Sequence, residues 1–576
     1  MRGGRQGMTE TIELTINGNK IRTQGNKTIL DVCKENGIYI PTLCHLEGLS
    51  SRGSCRMCLV RVEGAKKFLP ACATEVKEGM VVITEDEELL SLKKSILELL
   101  FSERNHLCMF CEKSGDCELQ KLAYRFGLDH IRYSFSWKKF ELDTGRKYFL
   151  FDQNRCILCR RCVRACEEIA GHAVLTVKNR GSELMVCADL DFPFNQSTCV
   201  SCGTCLQVCP TGALADKYSA YVGREEVLER KRTVCTFCSV GCSIDVLSRD
   251  GMPVRIEGVW KEGPSEGVLC VKGRFEPFYD DRIRISTPMI RKKGELIPVG
   301  WEEVEMMILE KLREFKEAES WTGLISSKAT IETAKAFKEL FKEKSYLLGS
   351  SGTKVGNTSL SELDEADSII LAGVDLDKEC QVVSSFVKRS ANRGAEIVVI
   401  GSAGEKVDIR ATRKLKKLEV KEIVNLIETL SNPVFLYGAK VPSDLLGKIL
   451  MSVHSLRYIG LASGYNTRGI EKEGIASWKG EMINGVVYLL MCDDEPDSRL
   501  KDCLSEADFL IVQSSFESSI TKKKADIILP SPSWSERSGT YINTEGKKKK
   551  LAAVASPLGL TRPDEYVLTR LKKWSE

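Results

Sequence analysis

Residues 156–166 read CILCRRCVRAC, and residues 199–210 read CVSCGTCLQVCP. The spacing is Cys156-x2-Cys159-x2-Cys162-x3-Cys166, then Cys199-x2-Cys202-x2-Cys205-x3-Cys209-Pro210. Three cysteines this close can wrap three irons of one cubane. In such a doubled run the fourth cysteine of each half crosses to the other cluster. The pattern therefore assigns Cys156, Cys159, Cys162 and Cys209 to one 4Fe–4S cluster, and Cys199, Cys202, Cys205 and Cys166 to a second. Zinc, the competing metal, takes four ligands in two pairs and does not call for this repeat.

Three further constellations flank the run. Cys44-x10-Cys55-x2-Cys58-x13-Cys72 is a loop-borne set of three with one distant partner, read as 2Fe–2S. Gly53 in its loop lets backbone N–H groups approach the sulfurs. His106-x-Cys108-x2-Cys111-x5-Cys117 leaves a 4Fe–4S cluster one thiolate short, and His106 is the candidate fourth ligand. An imidazole there would remove a negative charge and alter the potential. Cys235-x2-Cys238-x3-Cys242 with distant Cys270 reads as one more 4Fe–4S cluster. A zinc ribbon competes for the first of these sets, a solvated or capping role for His106, and a four-cysteine zinc site for the last.

The composition agrees with metal chemistry. The 576-residue chain has 24 Cys, 21 of them at or before Cys270, and only five His. Its 84 basic and 80 acidic side chains leave a formal charge of +4, which does not suggest a nucleic-acid binder. No apolar run approaches the roughly 18–20 residues of a membrane span. MRGGRQG at the start lacks the apolar core of a secretion signal, so a cytoplasmic protein is expected, with Met8 opening the patterned chain. In a reducing compartment 24 cysteines are metal ligands before they are disulfides. Of the remaining five, Cys33 reads as core. Cys380 follows a strand end and reads as an inert thiol.

Residues 11–23 read as a hairpin turning at Asn17-Gly18, residues 28–36 as a helix, residues 81–83 as a strand, and Glu87 to Phe101 as a helix. Residues 102–284 show few long apolar segments. Beyond 285, apolar runs at 323–325, 369–371, 397–400, 434–436, 486–490 and 510–512 alternate with helical stretches such as 329–344 and 381–393, predicting a doubly wound parallel sheet. The glycine-rich stretch from Gly349 to Gly356 reads as a loop, and Lys547 to Lys550 as part of a solvated tail. No GxGxxG follows a strand, so no flavin or nicotinamide site is expected.

The order of these motifs resembles the G subunit of respiratory complex I, the large iron–sulfur subunits of soluble NAD(P)-linked hydrogenases, and NAD-linked formate dehydrogenases. CEKSGDCELQ, Cys111 to Gln120, is highly characteristic of that family. The family's usual His-x3-Cys is altered here: Arg104 stands at the histidine position and His106 two residues later. The full doubled motif, Cys166 included, is more like the hydrogenase and formate dehydrogenase members. Residues 228–576 resemble molybdopterin oxidoreductases, through CVKGRF, Cys270 to Phe275, and through ADIILPSPSWSERSGTYINTEG, Ala525 to Gly546.

The resemblance implies a multidomain α+β and α/β chain. Its parts are a β-grasp 2Fe–2S ferredoxin domain (8–84), a His/Cys3 4Fe–4S domain (85–145), a two-cluster 4Fe–4S ferredoxin-like domain (146–227), a molybdopterin-oxidoreductase-type 4Fe–4S domain (228–284) and a truncated α/β region (285–576). Residues 345–365 carry neither the Cys nor the His of active formate dehydrogenases, and no sequence remains for a final barrel. No molybdopterin is therefore expected. The expected function is electron transfer without a substrate site in this chain. The expected partners are a flavin- and NAD(P)-binding subunit with a small ferredoxin-like companion, and a separate catalytic subunit, a nickel–iron hydrogenase. An electron-bifurcating complex that also serves soluble ferredoxin fits the same cluster set. A formate dehydrogenase or complex I G-type subunit, a shortened Mo/W-pterin enzyme, and a zinc-bearing scaffold are the alternatives.

Overall fold

The structure is a computed structural model that describes residues 10–316, 321–349, 353–417 and 419–575. The opening MRGGRQG, Met8 and residues 350–352 of the glycine-rich loop lie outside them. The chain forms two compact units, Met1–Val227 and Leu228–Glu576.

The first unit opens with a five-stranded sheet in the order Asn19–Gln24, Thr11–Ile16, Val81–Ile83, Leu59–Val62, Leu69–Pro70. Thr11–Ile16 and Val81–Ile83 run parallel; the other neighbours are antiparallel. The Asn17-Gly18 turn has φ of 48° and 82°, the left-handed pair a two-residue hairpin requires. Across the sheet lies helix Ile29–Glu35. Its Thr28 side chain accepts from Asp31 N, and Asp31 Oδ2 accepts from Thr28 N, so the helix starts with two backbone donors satisfied. Cys33 sits in this core, where burial pushes its thiol up to about 11. Helix Glu87–Glu103 follows, capped by Asp86.

Regular structure then becomes sparse. A three-stranded sheet (Leu214–Asp216, Phe149–Asp152, Leu142–Asp143) and the hairpin Leu175–Lys178/Met185–Ala188 frame two four-residue helices, Arg161–Arg164 and Thr204–Gln207. Each helix follows a left-handed residue, Arg160 (φ 56°) and Gly203 (φ 72°), which swings the cysteine loop back on itself.

The second unit begins with an antiparallel sheet, Glu229–Val234, Ser243–Arg249 and Met252–Gly258, which no apolar run in the sequence marks. Its first strand is ERKRTV, and Arg230 and Arg232 both pair with Asp245 on the neighbouring strand. The predicted parallel sheet is two sheets. One has eight strands, and from Ile527–Pro530 through Ala507–Ser514, Gly485–Cys492, Trp321–Ser326 and Ser345–Leu348 to Ala476–Ser477 it is parallel. The antiparallel pair Met289–Lys292/Glu295–Pro298 forms its edge. The other sheet is wholly parallel, in the order Arg413–Leu415, Glu396–Ile400, Ser368–Ala372, Pro433–Gly438, Arg457–Leu461.

The lysine run is not a tail. Lys548–Leu551 pairs with Gly539–Ile542, and the chain continues into helix Asp564–Ser575, whose Val567, Leu568 and Leu571 join the core of the large sheet. Edge strands often carry lysine in this way, because the charges discourage further pairing.

Candidate metal centres

The fold gathers the cysteines of the doubled run into two hollows. Cys156, Cys159, Cys162 and Cys209 line one of about 300 Å³, walled by Phe151, Ile157, Ala213 and Leu214. Cys166, Cys199, Cys202 and Cys205 line another of about 360 Å³, with Phe149, Phe194 and His172. The fourth cysteine of each half therefore stands with the other half's trio, as the spacing implied. Burial pushes the Cys156 thiol up to about 11 and that of Cys166 to about 12. At neutral pH these sulfurs become thiolate only with a cation to offset the charge. Among the described residues no three His, Cys, Asp or Glu side chains are drawn tightly enough to hold a single ion. The thiols stand around common spaces with apolar walls, and such a set of four fits the ligands of a 4Fe–4S cluster.

A third hollow, of about 310 Å³, takes its lining from His106, Cys108, Cys111 and Cys117 together with Arg155, Thr211 and Gly212 from the ferredoxin-like segment. Burial lowers the His106 imidazole to about 4, so the ring is neutral. It bonds the Leu100 backbone, and its Nε2 is buried with no hydrogen-bond partner. A neutral imidazole anchored on one side with a bare lone pair on the other is the form a metal ligand takes. Arg104, at the family's usual histidine position, turns away. It is 2% exposed, donates to the carbonyls of Gln153 (2.7 Å) and Leu184 (2.6 Å), and lies over the Phe140 ring. Gly212 carries no motif that singles it out in the sequence, yet a Cβ there would meet Cys111 Sγ at 2.4 Å.

In the N-terminal sheet domain the four cysteines stand together. Cys44 N donates to Cys55 Sγ (3.4 Å) and Cys55 N to Cys44 Sγ (3.5 Å), the Cys58 and Cys72 sulfurs are 3.4 Å apart, and the Cys44 and Cys72 side chains also meet. Four clustered thiols fit the ligand set of a two-iron cluster.

In the second unit Cys235, Cys242 and Cys270 are buried, and Cys238 is partly so. Cys235 and Cys242 stand at the two ends of the loop joining the first two strands, tied by the bond from Cys235 N to Cys242 O (2.9 Å). A Cβ on Gly273 would meet Cys235 Sγ at 2.9 Å, so this glycine keeps the Cys270 loop close to the Cys235 side. Lys272 donates to Lys378 O (2.7 Å). Cys380 is not isolated: its thiol hydrogen-bonds that of Cys238 and lies 3.9 Å from Ser239 Oγ. Cys187 lies in the hairpin, and Cys492 and Cys503 are buried in the second unit.

Five family models match in chain order. They are the 2Fe-2S iron-sulfur cluster binding domain (residues 9–87), the NADH-ubiquinone oxidoreductase-G iron-sulfur binding region (93–132) and the NADH-quinone oxidoreductase subunit 3 ferredoxin-like domain (148–215). The molybdopterin oxidoreductase Fe4S4 domain (228–279) and molybdopterin oxidoreductase (284–434 and 444–573) complete the series. The NADH-quinone oxidoreductase G 2 subunit of Rhizobium meliloti (strain 1021) is 26% identical over 95% of this chain and 77% of its own length. The corresponding G subunit of Rickettsia bellii (strain RML369-C) is 26% identical over 97% of this chain and 86% of its own. In the content and order of these domains the chain matches NADH-quinone oxidoreductase G subunits. It is accordingly an iron–sulfur electron-transfer subunit of that type, with 2Fe–2S and 4Fe–4S cluster domains and a molybdopterin-oxidoreductase domain. A chain of a solved NAD+-reducing [NiFe]-hydrogenase in the H2-reduced state is 32% identical over 37% of this chain and 90% of its own, with a TM-score of 0.35. Among the described residues no helix is long and apolar enough to cross a membrane.

Proposed function

We propose that this G-subunit relative holds one 2Fe–2S and four 4Fe–4S clusters and links a flavin- and NAD(P)-binding subunit to a separate catalytic subunit in the cytoplasm. Cys44, Cys55, Cys58 and Cys72 would hold the two-iron cluster. His106, Cys108, Cys111 and Cys117 would hold one cubane, the two crossed sets two more, and Cys235, Cys238, Cys242 and Cys270 the last. Such clusters supply one-electron transfer at potentials set by ligand type, hydrogen bonding and burial.

The supporting observation is the position of the Cys156/Cys159/Cys162/Cys209 hollow, which adjoins all three other centres of its unit. Thr211 lines both it and the His106 hollow. Arg164 joins the carbonyls of Cys44 and Cys159. Cys166 and Cys209 exchange places with the neighbouring set. The protein thus holds four centres around a junction, an arrangement suited to receiving electrons from one partner and delivering them to more than one other.

In the second unit, the carboxyl ends of the large sheet's strands, where α/β folds take ligands, are occupied by the protein's own charges. Arg537 lies against Asp493 (3.4 Å) and Asp564 (3.6 Å), all nearly fully buried, and Lys328 pairs with Asp494 (3.1 Å). Burial works against the Lys328 ammonium, but Asp494 and Asp493 carry it above its usual value. These ion pairs at the strand ends support the reading of a pterin site that no longer binds pterin.

The complete second cysteine set, with Cys166, favours a hydrogenase-type complex that also serves soluble ferredoxin. The match to G-subunit relatives along nearly the whole chain favours a complex I-type assembly as the second reading. Anaerobic purification from the native cell discriminates between them. Co-elution with a flavoprotein and a nickel-containing subunit is expected. Co-elution with quinone-reducing membrane subunits would favour the second reading, and isolation as a colourless single chain would contradict both.

A further inference from the structure

Beside the centre in the second unit lie two buried hydroxyls that find no hydrogen-bond partner in the protein, and a thiol whose partner is one of the cysteine sulfurs. Tyr465 is 3% exposed, and its hydroxyl has no hydrogen-bond partner. Its ring packs on Tyr541 (centroids 4.3 Å apart), and its Cε2 lies 3.9 Å from where a Cβ on Gly241 would stand, between Cys238 and Cys242. The ring thus stands against the loop that carries Cys238 and Cys242. Thr236 Oγ1, one residue after Cys235, is likewise buried and unpartnered. Cys380, 2% exposed, stands sulfur to sulfur with Cys238.

A buried hydroxyl without a partner loses its hydration with nothing in return, and native proteins rarely tolerate it. A tyrosine that only filled space would serve as well as phenylalanine. These donors make sense if their acceptors are the sulfurs of a bound cluster. Hydrogen bonds to cluster sulfurs stabilise the reduced, more negative form and so raise the reduction potential.

We propose that Tyr465 and Cys380 are positioning residues of the second unit's 4Fe–4S centre, donating O–H and S–H hydrogen bonds to it that raise its reduction potential. The inference rests on the ligand assignment of Cys235, Cys238, Cys242 and Cys270 proposed above. It makes this centre the better electron acceptor, by two donors, than the same four cysteines in a purely apolar pocket. Neither residue touches a substrate. Both act on the potential alone, and neither is needed to hold the metal.

The test is an EPR-monitored redox titration of the full-length, anaerobically purified protein, with iron content measured in parallel. Cys235→Ala identifies the signal of this centre by its loss. Tyr465→Phe keeps the ring and removes the donor. It should retain full iron and shift the one-electron equilibrium about tenfold toward the oxidised cluster, which is about 59 mV. Cys380→Ala should shift it in the same direction, and Cys380→Ser, which keeps a donor, should return the potential most of the way to the parent value. An unchanged potential in both Tyr465→Phe and Cys380→Ala, with iron retained, overturns the proposal. So does loss of the cluster in those variants, which would make the residues structural. If Cys235→Ala removes no signal and no iron, it is the ligand assignment that fails.

Discussion

Arg164 donates one guanidinium N–H to the carbonyl of Cys44 and thereby fastens the two-iron cysteine loop to the ferredoxin-like helix 120 residues later. The same side chain, 1% exposed, also donates to Ser50 O and to Cys159 O (3.3 Å). Glu168 strengthens the joint by accepting from Ser50 N (2.7 Å) and Ser50 Oγ (2.6 Å). One buried cation thus spans the ligand loops of two proposed centres.

Arg164→Leu should leave buried carbonyls without donors and cost about 3 kcal/mol. Chemical denaturation of the iron-loaded protein measures this. All iron should be retained in the folded variant, while magnetic coupling between the two-iron centre and its neighbour weakens. A stability loss within error of zero would mean that the clamp is not what joins these segments.

His106→Ala should change the EPR spectrum of one cubane, and Gly212→Ala should disturb the same signal by driving a methyl group against Cys111 Sγ. An unchanged spectrum in His106→Ala removes the imidazole from the ligand set. An effect of Gly212→Ala on a different cluster would show that the hollow has been wrongly assigned.

Asp564 gives a pH signature to the second unit. Burial raises its carboxyl from 3.8 to about 6, with Arg537 acting in the opposite direction. The fold prefers the protonated form, so the stability it contributes is complete below pH 3.8 and is lost as pH rises through about 6. The span is on the order of 3 kcal/mol. Asp564→Asn should flatten that part of the stability curve, and its advantage over the parent should grow as pH rises toward neutrality. Parallel curves for the two proteins would contradict the burial argument.

Elemental analysis addresses the charged strand ends of the second unit. Molybdenum and tungsten should be absent at stoichiometric level even after growth with both metals supplied. One atom of either per chain would make this subunit an oxidoreductase in its own right.

Much of this was legible in the sequence because chelation acts over short spans. The spacing of Cys156, Cys159 and Cys162 anticipates their shared hollow, and the repeat anticipates that Cys166 and Cys209 each stand with the other half's trio. Apolar runs likewise marked the parallel strands at 321–326, 368–372, 396–400, 433–438, 485–492 and 507–514, but not Ser345–Leu348, Arg457–Leu461 or Ile527–Pro530. What surrounds the metal was not legible. Thr211, Gly212, Arg164, Tyr465 and Cys380 reach their centres through tertiary folding, from distances along the chain that no motif records. Charge hides two strands in the sequence, and only the second reads there as a solvated tail. Arg230 and Arg232 sit in a strand because Asp245 faces them, and Lys548–Leu551 sits in another because it pairs with Gly539–Ile542. A charge run looks solvated until its partner strand is known.

The most direct measurement is iron and acid-labile sulfide per chain in anaerobically purified protein, with low-temperature EPR of the reduced form. One two-iron and four four-iron centres require about eighteen iron atoms and signals from both cluster types. A value near that confirms a five-centre conductor. Stoichiometric zinc with little iron and no EPR signal would contradict it.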